Sequence, residues 1–188
     1  MRKIFYKTSE LPQLVGKMRT EGGERVFHDS QRRHWKSDGI VFQPDAPYVI
    51  AADRNLLKWK WPELRSVDLQ ARVSEVSGGE EMKYKVELFA LGPDGVYIDC
   101  TASGTSLAQF DQYRLLADIS DRPSVGAATG GTEKPPVVEV VYDTNYGVWR
   151  YKIIRTDKKE PNAIATVMGV LMELGESIPI EELEYCFG

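Results

Sequence analysis

The 188-residue chain is 42% hydrophobic and 28% charged with a formal net charge of −4, which excludes wholesale disorder and excludes a protein that coats nucleic acid by bulk electrostatics. No apolar run approaches the ~20 residues that span a bilayer, so neither a membrane helix nor a signal peptide is expected. Two cysteines, Cys100 and Cys186, and two histidines, His28 and His34, lack metal-site spacing, and a reduced, intracellular protein without a zinc site is the expectation.

In chain order, Arg2 to Lys7 reads as a first strand. Ser9 is a plausible helix N-cap, with Pro12 in the first turn, where a missing N–H costs little. Leu11, Leu14, Val15 and Met18 follow at i, i+3, i+4 and i+7. This spacing predicts an amphipathic helix of about three turns, ended by Gly22-Gly23. Arg25 to His34 is polar and reads as a loop or short helix. Ile40-Val41-Phe42 is a short strand opened by Asp38 and closed by Pro44, Asp45 and Pro47.

After a loop through Ala52-Asp53-Arg54, Leu56 to Trp61 forms the next strand, stopped by Pro62. Residues two apart on a strand share a face. Lys58 and Lys60 therefore project together, with Leu57, Trp59 and Trp61 facing the other way. Two ammonium groups on one face need solvent or an anionic neighbour, and spacing alone leaves both open. One helix and one or two strands cannot bury both faces of a sheet, so further strands are expected upstream, outside this chain.

Val67 to Val73 and Glu81 to Ala90 alternate apolar and polar residues at period two, Pro93-Asp94-Gly95 is a turn, and Val96-Tyr97-Ile98 resumes the ladder. Such short strands with tight turns predict a small antiparallel barrel. Asp121 to Pro136 lacks periodicity and reads as a mobile loop within that domain. Val137 to Tyr142 and Val148 to Ile154 form a hairpin around Asp143 to Gly147. Asn162 caps a helix with an apolar stripe of Ile164, Val167, Met168, Leu171 and Met172, stopped by Gly175; both methionines are expected in the core. Ile180 to Tyr185 adds a second short helix.

The segment from Trp149 to Asn162 is dense in charge. Arg155 and Asp157 share a strand face and Lys158 sits at its end. By itself, this is a surface ion pair worth little. Three segments in this order change the reading: Asp38-Gly39-Ile40-Val41-Phe42, then Leu56-Leu57-Lys58-Trp59-Lys60, then Trp149 with five residues to Arg155-Thr156-Asp157-Lys158 and Pro161-Asn162. Together they resemble the fourth, fifth and sixth motifs of mRNA capping enzymes, the GTP:RNA guanylyltransferases, within the covalent nucleotidyltransferases that also include DNA and RNA ligases. Trp149 and Pro161-Asn162 favour capping enzymes over ligases. Ile153 stands where a second arginine is common, and Lys152 or Arg150 is expected to compensate.

The resemblance implies an α+β chain. Residues 1–65 would be the C-terminal segment of a nucleotidyltransferase (ATP-grasp-like) domain, and residues 66–188 an OB-fold β-barrel with C-terminal helices. It implies transfer of GMP from GTP to 5′-diphosphate RNA through a lysyl-GMP intermediate. By position, Asp38 would help hold Mg2+ or Mn2+, Lys58 and Lys60 would contact the α-phosphate, and Arg155, Asp157 and Lys158 would meet the β,γ-phosphates or orient pyrophosphate. Partners implied are an RNA triphosphatase and RNA polymerase II, in the nucleus.

Lys36-Ser37-Asp38-Gly39 imitates the family's first motif, Lys-x-Asp-Gly, but its Asp-Gly lies about twenty residues before Lys-Trp-Lys, the separation of the fourth. The nucleophile is therefore expected outside this chain, which alone would be inactive. Two other readings stand beside this one. A non-catalytic OB-fold module would bind single-stranded RNA or a protein partner through a basic groove and aromatics such as Tyr84, Phe89, Tyr97 and Tyr151. A ligase fragment would transfer AMP.

Overall fold

The computed structural model describes residues 5–29, 32–47, 49–50, 53–76, 83–101, 105–121 and 134–187, with the backbone only at 29, 32–35 and 83. Its contacts divide the chain into two compact units, Met1–Leu64 with Glu176–Gly188, and Arg65–Gly175.

In the first unit, a 3-10 turn at Thr8–Glu10 leads into α1 (Leu11–Val15), where the Glu10 carboxylate accepts a hydrogen bond from the Lys7 N–H at 2.8 Å. The helix ends at Val15 and does not reach Met18. That residue opens β1 (Met18–Glu21), paired antiparallel with β2 (Glu24–Asp29), so that Met18 faces Phe27. Gly22 and Gly23, expected to stop a helix, form the two-residue turn of this hairpin. Their φ values of 58° and 82° are both positive, the geometry that matches the twist of paired strands and favours glycine at both positions. The strand β3 (Arg32–Lys36) adds to β2, so the polar segment expected as a loop is strand. The burial of neighbouring Val26 and Phe27 supports the pairing, and two adjacent buried residues give no alternation to read. Of the expected first strand, Phe5, Tyr6 and Lys7 are not in a strand, and residues 1–4 lie outside the described residues.

The strands β4 (Gly39–Phe42) and β5 (Leu57–Lys60) form a two-stranded antiparallel sheet with Gly39 opposite Lys60, Ile40 opposite Trp59 and Val41 opposite Lys58. Gly39 is required here. Its φ is +155°, and a Cβ at this position would lie 1.9 Å from the Trp59 carbonyl oxygen. Trp59 and Trp61 are buried, ring to ring at 4.6 Å with edges toward faces, beside Leu11, Ile40 and Ile180. Leu57, expected on their side, is instead exposed. Ile180 belongs to α4 (Ile180–Phe187), and Trp59 Nε1 donates to the Ile178 carbonyl at 2.9 Å. The last helix thus groups with the first unit, whereas sequence order had attached it to the second.

The second unit is built on a five-stranded antiparallel sheet in the order β10-β9-β6-β7-β8. Its strands are β6 (Ser66–Val76), β7 (Lys83–Leu91), β8 (Tyr97–Asp99), β9 (Val137–Asp143) and β10 (Val148–Ile154). One face is apolar at alternate positions: Val67, Leu69 and Ala71, with Val86, Leu88, Ala90, Val138 and Val140 on the neighbouring strands. Val67 faces Val140 and Val73 faces Val86, so the period-two pattern places a common face in the core. Among the described residues the strand order remains linear and no pairing joins β8 to β10. The expected mobile loop falls largely at 122–133, outside the described residues.

Two helices complete this core. The helix α2 (Gln109–Ser120) was not read from the sequence, because its buried stripe of Asp111, Leu115 and Ile119 begins with an acid. The helix α3 (Ile164–Glu176) buries Val167, while Ile164, Val170 and Leu171 are partly buried against the core. Met168 and Met172 are 50% and 61% exposed, not core residues. Asn162 does more than precede this helix: its Oδ1 accepts from the Asp68 N–H at 2.7 Å, its N–H donates to the Asp68 carbonyl at 2.7 Å, and its carbonyl accepts from the Leu91 N–H at 2.9 Å. The chain is therefore α+β, with an antiparallel five-stranded sheet and C-terminal helices. Among the described residues, no helix is long and apolar enough to cross a membrane.

Candidate functional site

In the first unit, the β4–β5 register sets the geometry. Lys58 and Lys60 alternate with Trp59 on β5, and burial of Trp59 turns both lysines to the other face. Asp38 immediately precedes β4, where Gly39 permits close approach to Trp59 and Lys60. The result is convergence on one oxygen: Asp38 Oδ2 lies 2.9 Å from Lys58 Nζ and 3.3 Å from Lys60 Nζ. Partial burial, the largest single influence, pushes the Asp38 pKa up. The hydrogen bond and charge of Lys58, joined by Lys60, outweigh that influence and hold the carboxyl below its ordinary value. Lys36 is engaged elsewhere, with Nζ 2.6 Å from Glu24 Oε1.

The second unit gathers Arg155, Asp157 and Lys158 just past the end of β10. Arg155 presents Nε and one terminal nitrogen to the two oxygens of Asp157, at 2.9 and 2.8 Å, a bidentate fork-to-fork contact. Its other terminal nitrogen, Nη1, donates to Asp68 at 2.9 Å and Glu139 at 3.4 Å, while Lys158 Nζ lies 3.4 Å from the second oxygen of Asp68. The hydrogen bond from Arg155 depresses the Asp157 carboxyl to about 2. The same bond, against the smaller effect of burial, raises the Arg155 pKa further, helped by the charges of Asp68, Asp157 and Glu139. The guanidinium is thus held on both edges.

Each set of expected phosphate-binding residues is brought together within its own unit. Two members of the second set, Asp68 and Glu139, were missed by sequence reading. They belong to β6 and β9 and stand directly opposite one another, a relation that only the register reveals. Arg150, considered as a substitute for the arginine absent at Ile153, is bound to the buried Asp111 at 2.7 Å and to Asp143 at 3.8 Å. Ile153 itself is half-exposed and faces Glu139 just after a register shift. Of the aromatics considered for strand binding, Tyr151 is buried in the core, and Phe89 and Tyr97 lie against the Arg72 guanidinium at 4.1 and 4.9 Å.

For a divalent metal, the described residues contain no group of three or more His, Cys, Asp or Glu that could hold one. Asp38 supplies a single hard oxygen donor. That fits an ion bound mainly by substrate phosphates and water with one or two protein carboxylates, the usual manner of Mg2+.

Residues 101–184 match the family described as mRNA capping enzyme, C-terminal domain. The mRNA-capping enzyme subunit alpha of Schizosaccharomyces pombe is 26% identical over 183 residues, covering 94% of this chain and 43% of that protein. Its counterpart in Neurospora crassa is 25% identical over 192 residues, covering 96% of this chain and 46% of that protein. The mRNA-capping enzyme of Danio rerio is 26% identical over 153 residues, covering 79% of this chain but 21% of that protein. The chain thus spans less than half the length of these relatives.

Proposed function

Since this chain is similar to the C-terminal part of mRNA capping enzymes, we propose that it is the phosphate-handling portion of a GTP:RNA guanylyltransferase. The observation that carries the reading is the convergence of Lys58 and Lys60 on one carboxylate oxygen of Asp38. Two ammonium groups aimed at one anionic oxygen are equipped to receive a phosphate oxygen in its place.

In the proposed reaction, a lysine supplied outside this chain attacks the α-phosphate of GTP, pyrophosphate leaves, and GMP passes from lysine to the terminal phosphate of 5′-diphosphate RNA. Lys58 and Lys60 neutralise the non-bridging oxygens of the α-phosphate, which would otherwise repel the attacking nucleophile, while the negative charge released as the P–O bond breaks leaves with pyrophosphate. Arg155 and Lys158 meet the β,γ-phosphates, with Asp157 orienting the guanidinium. Asp38 would hold Mg2+ or Mn2+, which when bound shares in neutralising phosphate charge. Residues 1–65 would belong to a nucleotidyltransferase domain and the residues from 66 onward to an OB-fold with its helix α3, the last helix being counted with the first unit. The setting would be the nucleus, beside RNA polymerase II and an RNA triphosphatase.

The test is labelled GTP with Mg2+. The chain alone is expected to give no covalent GMP adduct. In an enzyme completed with an upstream Lys-x-Asp-Gly region, adduct formation should fall about a hundredfold or more on Lys58→Ala, the size of one lost transition-state contact. An adduct on this chain alone that disappears in Lys36→Ala, or full activity in Lys58→Ala, would overturn the proposal.

A further inference from the structure

We infer that Asp68 and Glu139 form a carboxylate bracket that positions Arg155, and through Asp68 also Lys158, for contact with phosphate. The inference rests on the proposed phosphate role of Arg155 and adds two positioning residues to it.

The argument begins with the sheet. Asp68 on β6 and Glu139 on β9 are partners in the antiparallel register. Like charges directly opposite one another destabilise a strand pair, and the Asp68 side chain is only 10% exposed. An apolar pair at this register would serve the sheet better, because removing carboxylates from water is costly even when they are paired. The arrangement becomes intelligible when Arg155 is included. Its Nη1 lies between the two carboxylates, at 2.9 Å from Asp68 and 3.4 Å from Glu139.

The fork geometry then has a consequence. With Nη1 fixed to the sheet, the opposite edge of the guanidinium, Nε and Nη2, can meet only what lies on the other side, at present Asp157. The Asp157 side chain is 64% exposed, so this edge can exchange one oxyanion for another while the sheet side remains engaged. Asp68 is itself immobilised, because Asn162 hydrogen-bonds both its N–H and its carbonyl. Its second oxygen reaches Lys158 at 3.4 Å. One fixed carboxylate therefore sets the relative placement of two cations. An arginine without the bracket would lose both its fixed rotamer and the preorganisation that makes bidentate binding strong.

The experiment uses the whole chain with inorganic pyrophosphate as probe, and compares wild type, Glu139→Gln, Asp68→Asn and Arg155→Lys by calorimetry. The Arg155 Nε–Hε resonance and the melting temperature are followed in parallel. Removing a carboxylate near an anion site should tighten binding if electrostatics alone act. The bracket predicts the opposite sign: about tenfold weaker binding in Glu139→Gln, the scale of one hydrogen bond to a charged group. The Arg155 resonance should broaden or shift before any ligand is added. Pyrophosphate binding that is lost in Arg155→Lys but unchanged or tightened in both Glu139→Gln and Asp68→Asn overturns the bracket alone. Wild-type chain that ignores pyrophosphate, or Arg155→Lys that binds as well as wild type, overturns the phosphate role of Arg155 and the inference with it. Should one bracket variant melt below the assay temperature, the other decides.

Discussion

Gly39→Ala is the sharpest perturbation of the first cluster, because it alters the strand that Asp38 immediately precedes without touching a charge. Two costs combine. A φ of +155° is a conformation that L side chains rarely adopt, at about 1–3 kcal/mol. The new methyl group would also lie 1.9 Å from the Trp59 oxygen and 2.9 Å from Lys60 Cα, overlaps with backbone that no side-chain rotation relieves. The strand β4 must retreat from β5, loosening hydrogen bonds worth about 1 kcal/mol each. The expected total is about 3–4 kcal/mol. Gly22→Ala provides the control: its φ is 58°, but nothing lies within 4 Å of the added carbon, so only the conformational cost of about 1–2 kcal/mol remains. Urea unfolding gives both numbers, and amide exchange of β4 and β5 shows whether the loss is local. A change below about 1 kcal/mol in Gly39→Ala, or equal effects in the two variants, would refute the claim that close approach at Gly39 sets the Asp38 site.

Other outcomes follow from the charge pairs. Lys58→Gln and Lys60→Gln should each move the Asp38 carboxyl back up, since both lysines hold it down; carboxyl-carbon NMR titration reads this, and an unmoved value contradicts the convergence. Asp157 has a folded pKa of about 2 against an ordinary 3.8, so its contribution to stability is present above the ordinary value and is lost as pH falls toward the folded one. Between these limits Asp157→Asn should show a flatter stability curve than wild type, in urea melts across that range. Arg150→Met leaves the fully buried Asp111 with Arg114 alone and should destabilise by about 3 kcal/mol. Adding Asp111→Leu, which completes the apolar stripe of Leu115 and Ile119, should restore most of that loss by urea unfolding.

The elements that sequence reading recovered are those whose signals are local. The alternation from Val67 to Val73 and the turn from Asp143 to Gly147 name their strands without outside information. So does the alternation at Lys58-Trp59-Lys60, whose two-sidedness holds in the structure through burial of Trp59. The failures share a different cause. Met18 lies on a helical stripe by spacing, but it pairs with Phe27 across a glycine turn, and long-range pairing overrode the local pattern. The helix α2 escaped notice because its stripe includes an acid, and Asp111 is acceptable there only because Arg150 and Arg114 reach it. Met168 and Met172 fit an apolar stripe, yet they fall where no partner covers them among the described residues. In the site, Asp38, Lys58 and Lys60 were named through the motifs they stand in, but their convergence was not, since 20 residues separate Asp38 from Lys58 and the β4–β5 register brings them together. Asp68 and Glu139 were not named at all, since no spacing rule connects two strands whose register is set by the whole sheet.

The two clusters share one chemical design, and it bears on how a protein of net charge −4 would handle polyphosphate. Neither set of cations stands free. Asp38 serves Lys58 and Lys60, while Asp68, Glu139 and Asp157 serve Arg155. Ammonium groups crowded on one strand face repel unless an anion lies between them, so an internal carboxylate keeps such a face stable before any phosphate arrives. The cost is competition, because an incoming phosphate must displace a carboxylate and not merely water. Differences among the carboxylates decide where that exchange is easiest. Asp68 is buried and tied to Asn162 by its backbone, whereas Asp38 and Asp157 are more than half exposed. Under the proposed function, the exposed pair are the ones that yield: Asp157 to the outer phosphates, and Asp38 to the α-phosphate. Once displaced, Asp38 remains beside the phosphates as an oxygen donor suited to a divalent ion. Under that proposal, the observed pairing with lysine and the expected support for metal would be successive states of one carboxylate.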